Sequence, residues 1–401
     1  MINYNSRGKY MNFEDKVNRK NTNSIKWDGH EKFNIHPDAI PLWVADMDFK
    51  TLPEITQALN KQVEFGVYGY AFEPESYFES VIGWMKRRHH WDIQKEWIIT
   101  TPGVVSGLNA CILAFTEEND SVLIQEPVYH PFKNSIKYNK RVPIINELVK
   151  NDTHYSIDFN DFEKKIVENK VKLFILCSPH NPVGRVWLKD ELIQMADICH
   201  KHEVMIVSDE IHMDFVYKGH EHHVLANLKP EYQDFVITLA APSKSFNLAA
   251  FKISQLITSN SSFKKKIEHE YERLGFHGHN TFGLLACEVA YRTGDQFMDD
   301  VVEYIYQNIQ FIKKYVSVNI PSVKVMDIEG TYLLWLDFSS LHLEQTDLMK
   351  FLNEKALIWF NDGSMFGQSG TGFVRMNCAT QRELIKQALE QLKSAIDAFN
   401  Q

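Results

Sequence analysis

The chain has 401 residues, 44% hydrophobic and 24% charged, with a formal net charge of −9; this fits a folded protein with ample core and excludes a disordered chain. The acidity, with only Lys264–Lys266 as a basic run and that run read as a solvated helix face, gives no nucleic-acid footprint. No stretch nears 18 apolar residues, the first ten lack the apolar centre of a secretory signal, and Cys111, Cys177, Cys199, Cys287 and Cys378 form no C-x-x-C pair; the expectation is a cytoplasmic protein with reduced thiols, no membrane span and no zinc site.

Residues 1 to about 25 are polar and read as an arm or weakly ordered lead-in. P-L-W-V-A-D-M-D-F, residues 41–49, is an apolar run ending in two acids. A helix is predicted over 52–64, with Pro53 tolerated in its first turn. F-G-V-Y-G-Y, residues 65–70, is an aromatic loop, able to serve as a plain turn or to carry tyrosines to a ligand or a partner subunit. A helix over 75–88 precedes a β-rich run, 97–101, and then T-P-G-V-V-S-G, which opens an apolar helix over 104–115. Strand, glycine turn and helix start make a ready anion site, because the first N–H groups of a helix are unpaired and its dipole favours negative charge.

Strands and helices then alternate. Strands are predicted over 121–125, 171–177, 204–207 and 235–240, with an amphipathic helix over 190–202. Continuous apolar strands of this kind belong to a parallel sheet covered on both faces, whose chemistry sits at the C-terminal strand ends. Further on the pattern predicts helix over 282–318, strand-like runs within 323–337, helix over 345–355, a strand near 356–360, a glycine-rich loop, a strand within 373–379 and a closing helix over 381–399. This mixed pattern suggests a second, smaller domain completed by the N-terminal segment.

Polar residues stand at the strand ends: Tyr129, Asn181, Asp209 and Lys244, the last three spaced by 28 and 35 residues. A lysine placed there, between two serines, can lower its pKa and attack a carbonyl to form an imine; otherwise it is a solvated loop lysine. Asp209 equally suits a helix or turn cap, Asn181 a turn in H-N-P, and Tyr129 ordinary packing. H-E-H-H, residues 220–223, has no spacing by which consecutive loop histidines converge on one ion, so no metal site is expected. His277 and His279 read as loop residues.

The motifs S-P-H-N-P-V-G-R (178–185), S-D-E-I-H (208–212) and A-P-S-K-S-F-N (241–247), in this order, resemble the pyridoxal-phosphate aminotransferase family of fold type I. With P-L-W-V-A-D-M-D-F, E-P-V-Y-H-P-F (126–132) and V-R-M-N-C-A (374–379) the chain is similar to that family's cystathionine β-lyase and cysteine desulfhydrase branch, from about Lys26 onward. The resemblance implies an α/β fold with a mostly parallel seven-stranded sheet between helices in a large domain, plus a smaller α+β domain. Residues 1–60 would form the arm and part of the small domain, 61–285 the large cofactor-binding domain, and 286–401 the small C-terminal domain. The implied cofactor is pyridoxal 5′-phosphate.

The resemblance also implies roles. Lys244 would hold the cofactor aldehyde and then move the Cα proton. Asp209 would pair with the pyridinium N–H, and Asn181 would donate to the phenolate oxygen while also lying near substrate. His212 stands where many relatives have a tyrosine; it is either that donor or a core histidine. Tyr129 would stack on the ring and assist at the leaving group. Gly103, Val104, Val105 and Ser243 would cradle the phosphate. Lys252, eight residues after Lys244 where much of the family has arginine, would add a point charge without a bidentate fork. Tyr70 would reach the phosphate of a neighbouring subunit, making a homodimer with sites at the interface. Arg375 would bind the substrate carboxylate, with Val44 and Ala45 nearby.

The implied activity is α,β-elimination of L-cystathionine, and of L-cysteine or its S-conjugates, to pyruvate, ammonia and a thiol, within sulfur amino acid metabolism and methionine biosynthesis. Two alternatives stay open: an aminotransferase using the same carbanion, and a regulatory protein that keeps the cofactor pocket. Which thioether is preferred is not written in these motifs.

Overall fold

The computed structural model describes residues 11–276 and 278–399; the first ten residues of the arm, His277 and residues 400–401 lie outside. The large sheet has seven strands: β1 (Ile98–Thr101), β2 (Ser121–Glu126), β3 (Val142–Glu147), β4 (Leu173–Cys177), β5 (Met205–Asp209), β6 (Val236–Ala240) and β7 (Ser254–Ile257). Their spatial order is β1-β7-β6-β5-β4-β2-β3, with β7 alone antiparallel to its two neighbours. The expected mostly parallel seven-stranded α/β sheet is present. Its strands alternate between two cores: Phe174 and Leu176 of β4 face one, Leu173, Ile175 and Cys177 the other. Burial on both faces is why these strands read as unbroken apolar runs.

Two strands escaped the residue-by-residue reading. β3 carries Pro143, which a strand tolerates at a sheet edge, and β3 is the edge. β7 opens with Ser254 and Gln255, whose polarity breaks the pattern. Both are buried and satisfied: Ser254 Oγ pairs with Thr101 Oγ1 at 2.6 Å, and Gln255 Nε2 donates to Tyr77 Oη at 2.9 Å. The predicted helix over 282–318 is two helices, Thr281–Thr293 and Asp295–Asn319. They part at Gly294, where a Cβ would come within 2.2 Å of the Phe246 ring.

A second, antiparallel sheet comprises β8 (Lys324–Val325), β9 (Leu333–Asp337), β10 (Asn361–Asp362) and β11 (Phe373–Asn377) in the order β8-β9-β11-β10. Residues 11–25 do not bear out the reading of a weakly ordered lead-in. Phe13 is buried, with its ring 5.2 Å from Phe49 and 5.4 Å from Tyr304. Among the described residues no helix is long and apolar enough to cross a membrane.

After Ile40–Pro41, which pairs in parallel with Ile358–Trp359, the chain from 43 to 49 joins no sheet. Its carbonyls are met by side chains instead. Trp43 O accepts from Arg375 Nη2 (3.0 Å), Val44 O and Asp46 O from Asn377 Nδ2 (2.6 Å each), and Ala45 O from Lys244 Nζ (2.7 Å) and Tyr332 Oη (3.0 Å). Met47 O and Phe49 O accept from Asn247 Nδ2 (2.8 and 3.0 Å), and Asp48 O from Gln381 Nε2 (2.9 Å). A buried carbonyl left unpaired costs about 1–3 kcal/mol. Asn377→Ala takes one donor from each of two of them, while Asp46 N–H still reaches Val44 O (2.9 Å) and Lys26 Nζ lies 3.4 Å from Asp46 O. Losing two hydrogen bonds is expected to lower stability by about 2 kcal/mol, against about 0.5 kcal/mol or less for exposed Val318→Ala. Urea unfolding measures both, and equal losses would refute the clamp.

Candidate functional site

At the C-terminal ends of β1, β2, β4, β5 and β6 lies a cavity of about 760 Å³. Lys244, Asp209, Asn181, His212, Tyr129, Ser243, Gly103, Val104, Val105, Lys252, Arg375, Val44 and Ala45 all line it. Tyr70 does not. It is fully exposed on its loop and borders a smaller adjoining cavity that also touches Pro102, Lys252 and Ile253.

One end of the cavity is built for an anion. Gly103 has φ +123°, a conformation L side chains rarely adopt, and its N–H donates to Ser254 Oγ at 3.0 Å. The chain then enters the helix Val104–Phe115 with no side-chain cap, so its first N–H groups and its dipole face the cavity. Ser243 lies in the turn Pro242–Ser245, and exposed Lys252 closes the rim at φ +52°. Lysine suits a φ in this region poorly, but a single residue tolerates it.

The middle holds the titrating groups. Asp209 ends β5, and burial pushes its carboxyl up to about 7 against the relief of one N–H, from Ile211 at 3.1 Å. Lys244 Nζ is held by Ala45 O, and burial with the Arg375 charge brings it down to about 8. Burial, Lys244 and Arg375 together keep the His212 imidazole neutral. Tyr129 stays a protonated phenol, raised chiefly by burial.

Arg375 of β11 reaches in from the second sheet. Its Nη1 donates to Asn181 Oδ1 at 3.1 Å and its Nη2 to Asn361 Oδ1 as well as Trp43 O, and its guanidinium lies 4.9 Å over the Phe366 ring. Burial depresses it to about 10. Arg375 Nε and the Nδ1 atoms of His130 and His212 are buried without a protein partner. Three orphaned polar atoms, an uncapped helix start and a carboxyl raised by burial fit a phosphorylated heterocycle with a basic ring nitrogen and a substrate carboxylate.

Several lining groups were not singled out from the sequence. Arg19 makes a two-pronged contact with Asp46 (2.9 and 2.7 Å) and a third bond to Asp48 (2.7 Å), while fully buried Lys26 binds Asp48 at 2.7 Å. The two acids closing the 41–49 run demanded cations, and the polar lead-in held them; that signal was there to use. Trp43, His130 and Asn361 carried none. Of the histidine cluster, His222 Nε2 lies 2.8 Å from Glu210 Oε2 and His223 Nδ1 3.9 Å from Glu221 Oε1.

The aminotransferase class I and II family matches residues 37–392. The chain is 38% identical to a cystathionine β-lyase of Bacillus subtilis (strain 168), PatB, over 96% of this chain and 100% of that protein. It is 31% identical to the cystathionine β-lyase of Corynebacterium glutamicum, with the same coverages. The crystal structure of cystalysin from Treponema denticola, which contains pyridoxal 5′-phosphate, superposes with a TM-score of 0.93 at 39% identity, over 96% of this chain and 98% of that one. The expectation of pyridoxal 5′-phosphate as cofactor holds. By fold and sequence together, this chain belongs to the aminotransferase class I and II family.

Proposed function

We propose that the chain is a pyridoxal-phosphate-dependent carbon–sulfur lyase that eliminates the thiol from L-cystathionine, and from L-cysteine or S-conjugates, giving pyruvate and ammonia. The observation that carries this is the convergence of Lys244, Asp209 and Arg375 on one cavity, with Asn181 bridging Arg375 to the sheet. The names of the relatives favour elimination over transfer.

Bound pyridoxal phosphate supplies the electron sink for the pair left at Cα. Arg375, with Nε free of other partners, takes the substrate carboxylate in a two-pronged contact and so orients the Cα–H bond. Lys244 Nζ, low in proton affinity for a lysine, accepts the Cα proton. The Cβ–S bond then breaks with its electron pair leaving on sulfur, and the Tyr129 phenol delivers the proton that makes it a thiol. Released aminoacrylate adds water, yielding pyruvate and ammonia. Asp209 supports a protonated ring nitrogen, whose positive charge lowers its own raised pKa. Gly103, Val104, Val105, Ser243 and Lys252 would hold the phosphate, and His212, neutral, would offer the ring oxygen a hydrogen bond without a charge.

The assembly is part of the same reading. Phe65, Val67, Tyr68, Tyr70 and Phe72 are all exposed on one stretch, an apolar display that a second copy of the chain would cover. Tyr70 would then reach the partner's phosphate. The division at 61–285 and 286–401 accords with the two sheets. A cytoplasmic location accords with five free cysteines.

Incubated with L-cystathionine and no keto acid, the protein is expected to release pyruvate and free thiol in equal amounts; amino transfer strictly dependent on a keto acid would instead establish the aminotransferase. Arg375→Ala is expected to lower kcat/KM by about a hundredfold through loss of a charged, paired contact, and an unchanged value would remove Arg375 from substrate binding. The amine of Lys244 reacts only when neutral, so below about 8 the rate at which cofactor-free protein captures pyridoxal phosphate should rise about tenfold per pH unit and then level off. Stopped-flow absorbance measures it, and a flat profile between pH 6 and 8 would contradict the lowered pKa. Lys244→Ala should leave no borohydride-reducible link.

A further inference from the structure

Lys244 sits in a four-residue turn, Pro242–Ser245. Its neighbour Ser245 is fully buried, and the Ser245 hydroxyl donates to Asp214 Oδ2. Asp214 Oδ1 accepts from His89 Nε2 at 2.9 Å and from Trp84 Nε1 at 3.2 Å. The side chains of Asp214 and His89 are 3% and 5% exposed, and none of these four residues lines the large cavity. A carboxylate buried this deeply is costly to keep unless it is fully paired. Burial alone would raise it, but the hydrogen bond and charge of His89, helped by Ser245, hold it below the usual carboxylate range.

We propose that Asp214 is a positioning residue for Lys244: its carboxylate, oriented by His89 and Trp84, fixes Ser245 and thereby the turn that aims Lys244 Nζ into the cavity. The inference rests on the reading of Lys244 as the residue that carries the cofactor. Two bonds locate the lysine. Ala45 O holds Nζ from the front, and the Ser245–Asp214 bond holds the backbone from behind. The front contact must give way when Nζ reacts, whereas the rear one need not. The negative end of the Asp214–His89 pair is the end bonded to the turn. Other charges also face Lys244: Arg375 and Lys252, which disfavour its protonation, and Asp46 and Asp209, which favour it. Arg88 adds its charge near Asp214.

The test uses the holoenzyme with Asp214→Asn, Ser245→Ala and the double variant, reading the pH midpoint of the bound cofactor's visible absorption, kcat and KM separately, and thermal unfolding. Asp214→Asn is expected to lower the spectral midpoint by about half a pH unit and kcat by about tenfold with KM within about twofold. Ser245→Ala cuts the same link, so the double variant should lose little beyond either single change. Additive losses in kcat, or a fall in thermal stability with kcat and the spectral midpoint both unchanged, would overturn the proposal. Should Asp214→Asn fail to fold, a wild-type kcat in Ser245→Ala overturns it alone. Borohydride reduction and peptide mapping of the wild type separates the two readings: a label on another lysine defeats the assignment of Lys244, whereas a label on Lys244 with wild-type behaviour in the variants defeats only the role of Asp214.

Discussion

The stretch from Trp43 to Phe49 has seven carbonyls and no neighbouring strand, and the rest of the structure is arranged around meeting that demand. Donors arrive from the turn after β6 (Lys244, Asn247), from β9 and its approach (Tyr332), from β11 (Arg375, Asn377) and from the start of the last helix (Gln381). One peptide segment thus ties the large sheet to the second sheet. Two of the residues doing the tying, Lys244 and Arg375, are the ones on which the proposed chemistry depends. The position of Arg375, held by Asn181, Asn361 and Trp43 O, is set before any substrate arrives, which spares the ordering cost at the moment of reaction.

The same arrangement governs the electrostatics. Arg375 sits close enough to Lys244 and His212 to lower the proton affinity of both, and burial acts in the same sense. Asp209 is pushed the other way. Groups whose environments drive their pKa values apart from ordinary ones mark a reactive centre more surely than composition does. Asp46 and Asp48 are matched by Arg19 and Lys26. That cluster anchors the 43–49 stretch at the cavity wall and leaves Arg375 as the arginine there with an unpartnered guanidinium nitrogen.

Much of this was legible in the sequence. Apolar strands such as Leu173–Cys177, punctuated by H-N-P or D-E at their ends, declare a two-faced parallel sheet and its reactive edge, because periodicity and turn chemistry are local properties. The order and spacing of the motifs around Asn181, Asp209 and Lys244 carried the family and its cofactor. What failed to show was wherever a distant partner decides. Ser254 and Gln255 look wrong for a central strand until Thr101 and Tyr77 satisfy them. The polar lead-in looks loosely held until Phe13 finds Phe49 and Tyr304. The long helical pattern breaks at Gly294 because Phe246, far along the chain, lies against it.

By itself, then, the sequence determined the fold class, the cofactor chemistry and the lysine, aspartate and asparagine on neighbouring strand ends, since each depends on a short motif and on strand order. Only the tertiary structure decided that Arg375 meets Asn181, that Arg375 and Lys244 hold the Trp43 and Ala45 carbonyls, and that Asp214 stands behind Lys244. Those contacts join positions up to 332 residues apart. A hydrogen bond across such a span has no local signature, because its geometry exists only once the sheets have packed.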